Sequence, residues 1–508
     1  MSGLGQSGVA AVKWSAASTA IRFVLQLGAQ VVLARTLGPD VFGIFAIGMV
    51  VLTFAAFFSG FGFSTSLVLN KTLSEQDVRF AWTWQVIVGI FTMLVVYLLA
   101  PSLAGYFREP RAQPVIEWLS LACFLTAAAA PASTLLQRDL NFRAIGLIQV
   151  VSYAVGYLAV GVPMALWGWG AYSLVAAWLV QAAVALVAKY ALKPHRVRPL
   201  LWYRDGAAVI GVGRSVFLTN IVNWCLNNMD RILIGRLLNA YALGLYNVAY
   251  NVATMPNSLL LGALQPAFLS AGSRLQDERQ RLGSAYIQMV AVILVLAVPT
   301  FIFLALIASD LVHLLYGQKW VGAAWVLKAL FLAMPAYVIW GVSTPVLWNT
   351  GRRNQEFALQ LPVLVCGAFA FYFFARHGIH AVAVIAALLL VSRAIVMGCA
   401  ALRALELSWR SLVPHALRGL VLSVLCLATV LSAQHMVARL SLPLLSLVVS
   451  SLAAFAVFAL LLVIWPRILG EQTAAMVIRF FPLLARILNR GISQPSSDEA
   501  VGNGTVRP

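Results

Sequence analysis

About fourteen apolar runs divide this chain, each close to the ~20 residues that one helix needs to cross a hydrocarbon core. Their limits are 12–35, 41–66, 80–101, 114–135, 143–166, 169–190, 209–236, 241–270, 284–308, 324–348, 356–376, 379–402, 415–436 and 442–465. The connections are short, and no extramembrane domain fits between them. Composition agrees: 62% of the 508 residues are hydrophobic and 10% are charged, against roughly 25% charged in a soluble domain. A soluble fold would expose more apolar surface than a monomer tolerates. The predicted fold class is an all-α polytopic membrane protein.

The net charge of +19 reads first as topology. With the N-terminus inside, the inner loops hold Lys71, Arg79, Arg138, Arg143, Lys189, Lys193, Arg196, Arg198, Arg204, Arg274, Arg279, Arg281, Arg352, Arg353, Arg403 and Arg410. The outer side holds Arg35, Arg108, Arg111, Arg236, Lys319, Arg376 and Arg439. About sixteen against about seven is the bias expected of cytoplasmic loops, and it places both termini in the cytoplasm. Net charge alone is therefore weak support for an anionic ligand. Nucleic-acid binding is excluded, because no soluble basic domain is there to carry it.

Signals for other classes are poor. The five Cys sit in apolar runs without metal or disulfide spacing and read as small buried hydrophobes. Gly3 to Gly8 matches G-x-G-x-x-G, but no strand precedes it. Gly206 to Ser215 lacks the Lys of a phosphate loop. His377 and His380 have no acidic third ligand nearby, and no Ser/His/Asp grouping is visible. The sequence predicts no cofactor, no metal and no catalytic centre, so not an enzyme. The N-terminus lacks signal-peptide order, so the first span is expected to be retained. The tail "SQPSSDEAVGNGTVRP" reads as disordered.

The chain repeats itself. Displaced by about 201 residues, "TAIRFVLQLGAQVVLARTLGPDVFGIF" falls on "NIVNWCLNNMDRILIGRLLNAYALGLY". Arg35 meets Arg236, Leu37 meets Leu238, Gly43 meets Gly244 and Phe45 meets Tyr246. Six spans separate the copies, so the repeats are parallel, related by an axis along the membrane normal. The expected organisation is a six-helix lobe over 1–195, a second over 196–405, two further helices over 406–465 and a cytoplasmic tail over 466–508.

Polar residues then mark one face. Asn220, Asn223, Asn227 and Asp230/Arg231 form a stripe on span seven, since positions three or four apart share a helix face. Thr19, Arg22, Gln26 and Gln30 form its partner on span one. Span eight adds Asn247, Tyr250, Asn251, Thr254 and Asn257. Asn and Gln on membrane helices often only join helices, at about 0.6 kcal/mol each. Charge is costlier, roughly 2.5–3.5 kcal/mol per residue on insertion scales. The intramembrane charges Arg22, Arg214, Asp230, Arg231, Lys328 and Arg393 therefore weigh more, and Arg22 and Asp230/Arg231 are expected to face a cavity. Arg35 and Arg236, near span ends, are expected to snorkel.

The strings "VLARTLGPDVFGIFAIG", "LLQRDLNF", "DRILIGRLLNAYALGLYNVAY" and "LYGQKWVGAAW" resemble the polysaccharide-transporter branch of the multidrug/oligosaccharidyl-lipid/polysaccharide exporter superfamily, the Wzx-type flippases of O-antigen and exopolysaccharide synthesis. The resemblance runs from about residue 10 to residue 465. It implies a two-lobed fold around a cationic cavity in the bacterial inner membrane, in which an oligosaccharide on undecaprenyl diphosphate moves from the inner to the outer leaflet by alternating access. It also implies membrane lipids, a polysaccharide polymerase and chain-length machinery as partners. On this reading Arg22 and Arg231 contact the diphosphate, with Arg214 and Lys328 in the same cavity. Gln26, Asn223, Asn227 and Asn251 contact sugar. Asp230 and Glu117 are the candidates for coupling to an ion gradient. Asn239 departs from the pattern, standing where the repeat has Gly38, and is expected to use the αL tolerance of Asn. The alternatives are a multidrug-type exporter, which would favour acidic cavity groups, and a membrane enzyme of polysaccharide assembly, which would need a catalytic loop or His/Asp site.

Overall fold

The computed structural model describes residues 2–59, 67, 73–139, 141–202, 214–274, 278–437 and 443–464. Among them the secondary structure is helical throughout. The long helices are α1 (Ser2–Leu37), α2 (Pro39–Ser59), α3 (Glu75–Phe107), α4 (Ala112–Arg138), α5 (Phe142–Leu166), α6 (Ala171–Leu192), α7 (Arg214–Leu237) and α8 (Ala240–Arg274). They continue with α9 (Arg279–Leu306), α10 (Gly322–Asn349), α11 (Arg353–Phe374), α12 (Ile379–Ala404), α13 (Val413–Val437) and α14 (Pro443–Ile464). Twelve helices among the described residues are long and apolar enough to cross a membrane. The other two long ones, α7 and α8, carry the polar stripes. The chain is a multi-pass membrane protein.

Local chemistry sets the helix ends. Gly38, at φ +80°, stops α1, a conformation open to Gly at no steric cost. Its repeat partner Asn239 does not adopt αL, contrary to expectation. It caps α8 instead, its side-chain Oδ1 accepting the Ala242 N–H at 2.8 Å, which satisfies an orphan donor of the first turn. Ser74 and Asp77 close a capping box at the start of α3. Two π segments, Ala154–Gly161 in α5 and Ile293–Ala297 in α9, each run into a Val-Pro pair, Val162-Pro163 and Val298-Pro299. Proline deletes one donor and crowds the preceding turn, and the wider π turn absorbs both effects.

The chain forms two compact units. The first is Met1–Tyr250, Leu315–Val326 and Gln360–Ile385; the second is Asn251–Leu314, Leu327–Leu359 and Ala386–Pro508. This division by contact follows a different line from the sequence repeat.

In the first unit, α3 packs along α4, and α4 along α6 and α2. Small residues make the approach possible: a Cβ on Gly89 would lie 2.5 Å from the Ala127 Cβ, and one on Gly156 2.5 Å from the Ala177 carbonyl oxygen. Lipid is as apolar as leucine, so close van der Waals packing drives such helices together. In the loop before α4, Arg111 holds Asp40 of α2 at 2.6 and 3.1 Å and Glu109 at 2.7 and 2.9 Å. Hydrogen bonds to Glu109 first, then Asp40, raise the guanidinium pKa and keep it charged.

In the second unit, Tyr286 of α9 bonds Ser343 of α10 at 2.9 Å, and α13 packs on both α9 and α14. A Cβ on Gly419 would sit 2.1 Å from the Leu294 carbonyl oxygen. Gly419→Val should therefore cost at least the ~1–3 kcal/mol of overpacking, seen as a lower melting temperature of the detergent-solubilised protein. An unchanged melting temperature would contradict this contact.

Of the five Cys only Cys123 is buried, while Cys366 and Cys399 are exposed. Reading all five as buried is corrected here, for the reason that a lipid-facing position is as apolar as a core. Exposed Trp167, Trp169 and Tyr172 at the α5–α6 turn, and Trp409 just before α13, sit where interfacial aromatics are favoured.

Candidate functional site

The polar face of α7 meets the first turns of α8. Asp230 is only 6% exposed and Tyr246 is fully buried. Both carboxylate oxygens are engaged: Oδ2 accepts the Tyr246 hydroxyl at 2.5 Å and Oδ1 accepts the Arg231 backbone N–H at 2.8 Å. The two charged neighbours diverge, as successive residues of a helix must, and no ion pair among the described residues joins them.

Arg231 turns to the half-buried side. Its Nη1 donates to Asn228 Oδ1 at 3.0 Å and to the Asn227 carbonyl at 3.4 Å, while the guanidinium lies 4.2 Å from the centre of the Tyr250 ring. Its Nε has no hydrogen-bond partner among the described residues. Guanidinium carries five N–H donors in a planar fork, so donors remain for an anion.

Beside this face α7 borders apolar space. A cavity of ≈ 890 Å³ is lined by Val50, Phe54, Phe91, Leu99, Phe107 and Trp224, among others. A second, of ≈ 660 Å³, lies between Met229 and Leu233 of α7 and Phe369 and Tyr372 of α11. The charged face of α7 thus adjoins hydrocarbon-lined space.

Arg22 on α1 is half-buried and donates to Gln149 Oε1 of α5 at 3.2 Å. One turn along α5, Tyr153 stacks on Tyr157 with ring centres 4.5 Å apart. In the register of the repeat Arg22 corresponds to Asn223, eight residues or about 12 Å of helix before Arg231.

The remaining candidates scatter. Gln26 is exposed on α1, and Asn223 and Asn227 are half-buried on α7. Asn251 on α8 and Lys328 on α10 are exposed and belong to the second unit. Glu117 is half-buried on α4, where Gln113 of the same helix donates to it at 2.8 Å. The Arg214 side chain lies outside the described residues. Asn257, read as part of the α8 polar stripe, is buried and reaches the Met334 carbonyl at 3.3 Å. It joins α8 to α10 because a buried amide needs a partner.

Tyr246 and Asn228 were missed by sequence reasoning, although the repeat carries the signal. Where the second copy has Asp230, Arg231, Tyr246 and Tyr250, the first has Ala29, Gln30, Phe45 and Met49. Four positions change together from apolar or neutral to polar, and these are the residues that meet.

Residues 32–325, more than half of the chain, match a family model described as polysaccharide biosynthesis protein. The lipopolysaccharide biosynthesis protein WzxC of Escherichia coli (strain K12) is 27% identical over 323 residues, 62% of this chain and 65% of that protein. The alignment thus spans just under two thirds of that relative. The succinoglycan biosynthesis transport protein ExoT of Rhizobium meliloti (strain 1021) is 26% identical over 362 residues, 71% of this chain and 73% of that protein. Among solved structures, the lipid II flippase MurJ in an inward closed conformation superposes with TM-score 0.72 at 12% identity, covering 88% of this chain and 98% of MurJ. An inward-facing MATE multidrug transporter of the MOP superfamily gives TM-score 0.59 at 15% identity, covering 76% of this chain and 94% of that one. The chain shares the fold of both.

Proposed function

Since this chain belongs to the polysaccharide biosynthesis protein family, we propose that it is a flippase for lipid-linked oligosaccharides, moving repeat units carried on undecaprenyl diphosphate across the bacterial inner membrane by alternating access. Both termini lie in the cytoplasm on this reading, and a polysaccharide polymerase with its chain-length machinery takes the product on the far side. The observation that carries the reading is the division of labour at α7: the cation is presented and the carboxylate is put away. Arg231 sets its guanidinium on a half-buried face, where Asn228 and Asn227 engage Nη1 alone, while Asp230 has both oxygens occupied beneath Tyr246. An exporter of cationic drugs needs the reverse. Arg–phosphate contacts are charge-assisted and often bidentate, and the apolar cavities beside α7 suit a polyprenyl tail.

With the repeats parallel, Arg22 and Arg231 differ in level by about 12 Å, more than one diphosphate spans. The two act in sequence: Arg22 receives the headgroup near the inner side and Arg231 holds it nearer the outer side. Asn223, at the level of Arg22, and Asn227, between the two levels on α7, hydrogen-bond the leading sugars, and Gln26, one turn above Arg22, does the same from α1. Arg22→Ala should weaken loading, so export falls at low substrate supply and recovers when supply is raised. Equal loss at all supply levels would remove Arg22 from the loading step.

The ligand class is tested on the purified protein. Undecaprenyl diphosphate should raise its melting temperature, whereas neutral undecaprenol and a cationic dye should not. Stabilisation by the dye alone would favour the exporter reading instead.

A further inference from the structure

The sequence repeat returns as geometry where α1 turns into α2 and α7 turns into α8. Adding 201 carries Ala34, Arg35, Pro39, Phe42 and Gly43 onto Gly235, Arg236, Ala240, Leu243 and Gly244. These equivalent residues make exchanged contacts. A Cβ on Gly43 would sit 1.7 Å from the Ala240 carbonyl oxygen, and one on Gly244 would sit 1.8 Å from the Pro39 carbonyl oxygen. Pro39 and Ala240 are themselves partners in the repeat, so a local two-fold axis passes between α2 and α8. The two backbones touch there with no side chain between them, an approach only small residues allow.

The two arginines exchange in the same way. Arg35 Nε donates to the Leu315 carbonyl at 2.8 Å, in the last turn of the short helix Ala308–Tyr316 that follows α9. Arg236 Nη1 donates to the Tyr106 carbonyl at 2.6 Å, in the last turn of α3. Helices α3 and α9 are six apart, as are α1 and α7. Each arginine therefore caps, from the other repeat, a helix C-terminus whose final carbonyls lack partners and carry partial negative charge.

A ring fills each equivalent niche. Trp320 donates its Nε1–H to the Ala34 carbonyl at 3.0 Å and meets Phe42 edge-on at 5.4 Å. Phe107 occupies the matching place, 2.9 Å from where a Gly235 Cβ would stand, with Leu243 3.3 Å from that point. The glycine, arginine and ring contacts each join an element of one repeat to an element of the other. The Arg111–Asp40 pair beside them stays within the first repeat.

We propose that these paired contacts are a latch that closes the outer ends of the two repeats and must part in each transport cycle, with Arg35 and Arg236 as its bonds and Gly43 and Gly244 as its bearing. The inference rests on the flippase reading and its inside–outside assignment. Exposed Arg–carbonyl bonds exchange readily with water, and the glycine bearing itself carries no side chain, so the buried rings Trp320 and Phe107 are what parting must unpack.

The test uses the full chain in cells, with the five native cysteines replaced. Phe42→Cys and Trp320→Cys are bridged by a short bis-methanethiosulfonate reagent. Bridging should lower export by more than about tenfold, as blocking an obligatory state requires, and reduction should restore it. Full export with the bridge complete would overturn the latch. If that pair fails to reach the membrane, Arg35→Ala/Arg236→Ala is combined with Asn227→Cys as a reporter for a membrane-impermeant maleimide. Labelling should rise several-fold in intact cells. A rise only in inverted vesicles would keep the latch and refute the inside–outside assignment. No rise on either side would overturn the latch.

Discussion

Arg231→Ala is expected to lower export of the lipid-linked repeat unit by about ten- to a hundredfold, with the protein still present in the membrane. A hydrogen bond to a charged group contributes about 1.5–3 kcal/mol, and each ~1.4 kcal/mol is a factor of ten. The guanidinium is held by Asn228, Asn227 and the Tyr250 ring, yet its Nε stays unengaged. On the proposed reading loss of the side chain removes a substrate contact, while its own hydrogen bonds to Asn228 and Asn227 lie within α7. Arg231→Lys should fall between, since it keeps the charge but not the planar fork. Polymer yield measured beside protein level decides the matter, and normal export by Arg231→Ala would remove this residue from the site.

The second large effect concerns Asp230. Asp230→Ala should destabilise the folded protein by about 1–3 kcal/mol, because the Tyr246 hydroxyl is then left buried without an acceptor. The double variant Asp230→Ala/Tyr246→Phe restores the pair that the first repeat already carries, Ala29 and Phe45, both buried. Removing both partners is often nearly neutral, so the double variant should regain most of the stability lost by the single one. Melting temperatures of the three proteins give the cycle. Additive losses would show that the bond is not the source of the cost. The same double variant tests ion coupling: full transport at every pH would rule out Asp230 as the coupling group and leave Glu117.

The long helices were legible because hydrocarbon thickness fixes the length of a crossing segment, and the repeat was legible because Arg35, Gly43 and their partners fall at one offset. Side-chain partners were less so. Arg35 and Arg236 read as snorkelling residues at span ends, and instead each bonds a carbonyl, Leu315 or Tyr106, far away in sequence. Nothing local to an arginine names such a partner. Asn239 misled for a related reason: Asn tolerates αL and also caps helices, and the next residues decide which. Tyr246 was hidden because a single tyrosine in an apolar run is ordinary; only alignment with Phe45 shows the added hydroxyl opposite the added carboxylate. Asn257 was not separable from the exposed Asn251 of its stripe, because helix periodicity places a residue on a face without saying what covers it.

The most direct test of the central claim is the lipid-linked material that accumulates when the gene is deleted. The account predicts complete repeat units on undecaprenyl diphosphate, held in the inner leaflet and cleared when the wild-type gene is restored but not when Arg231→Ala is supplied. Accumulation of incomplete units, or of complete units already in the outer leaflet, would contradict it.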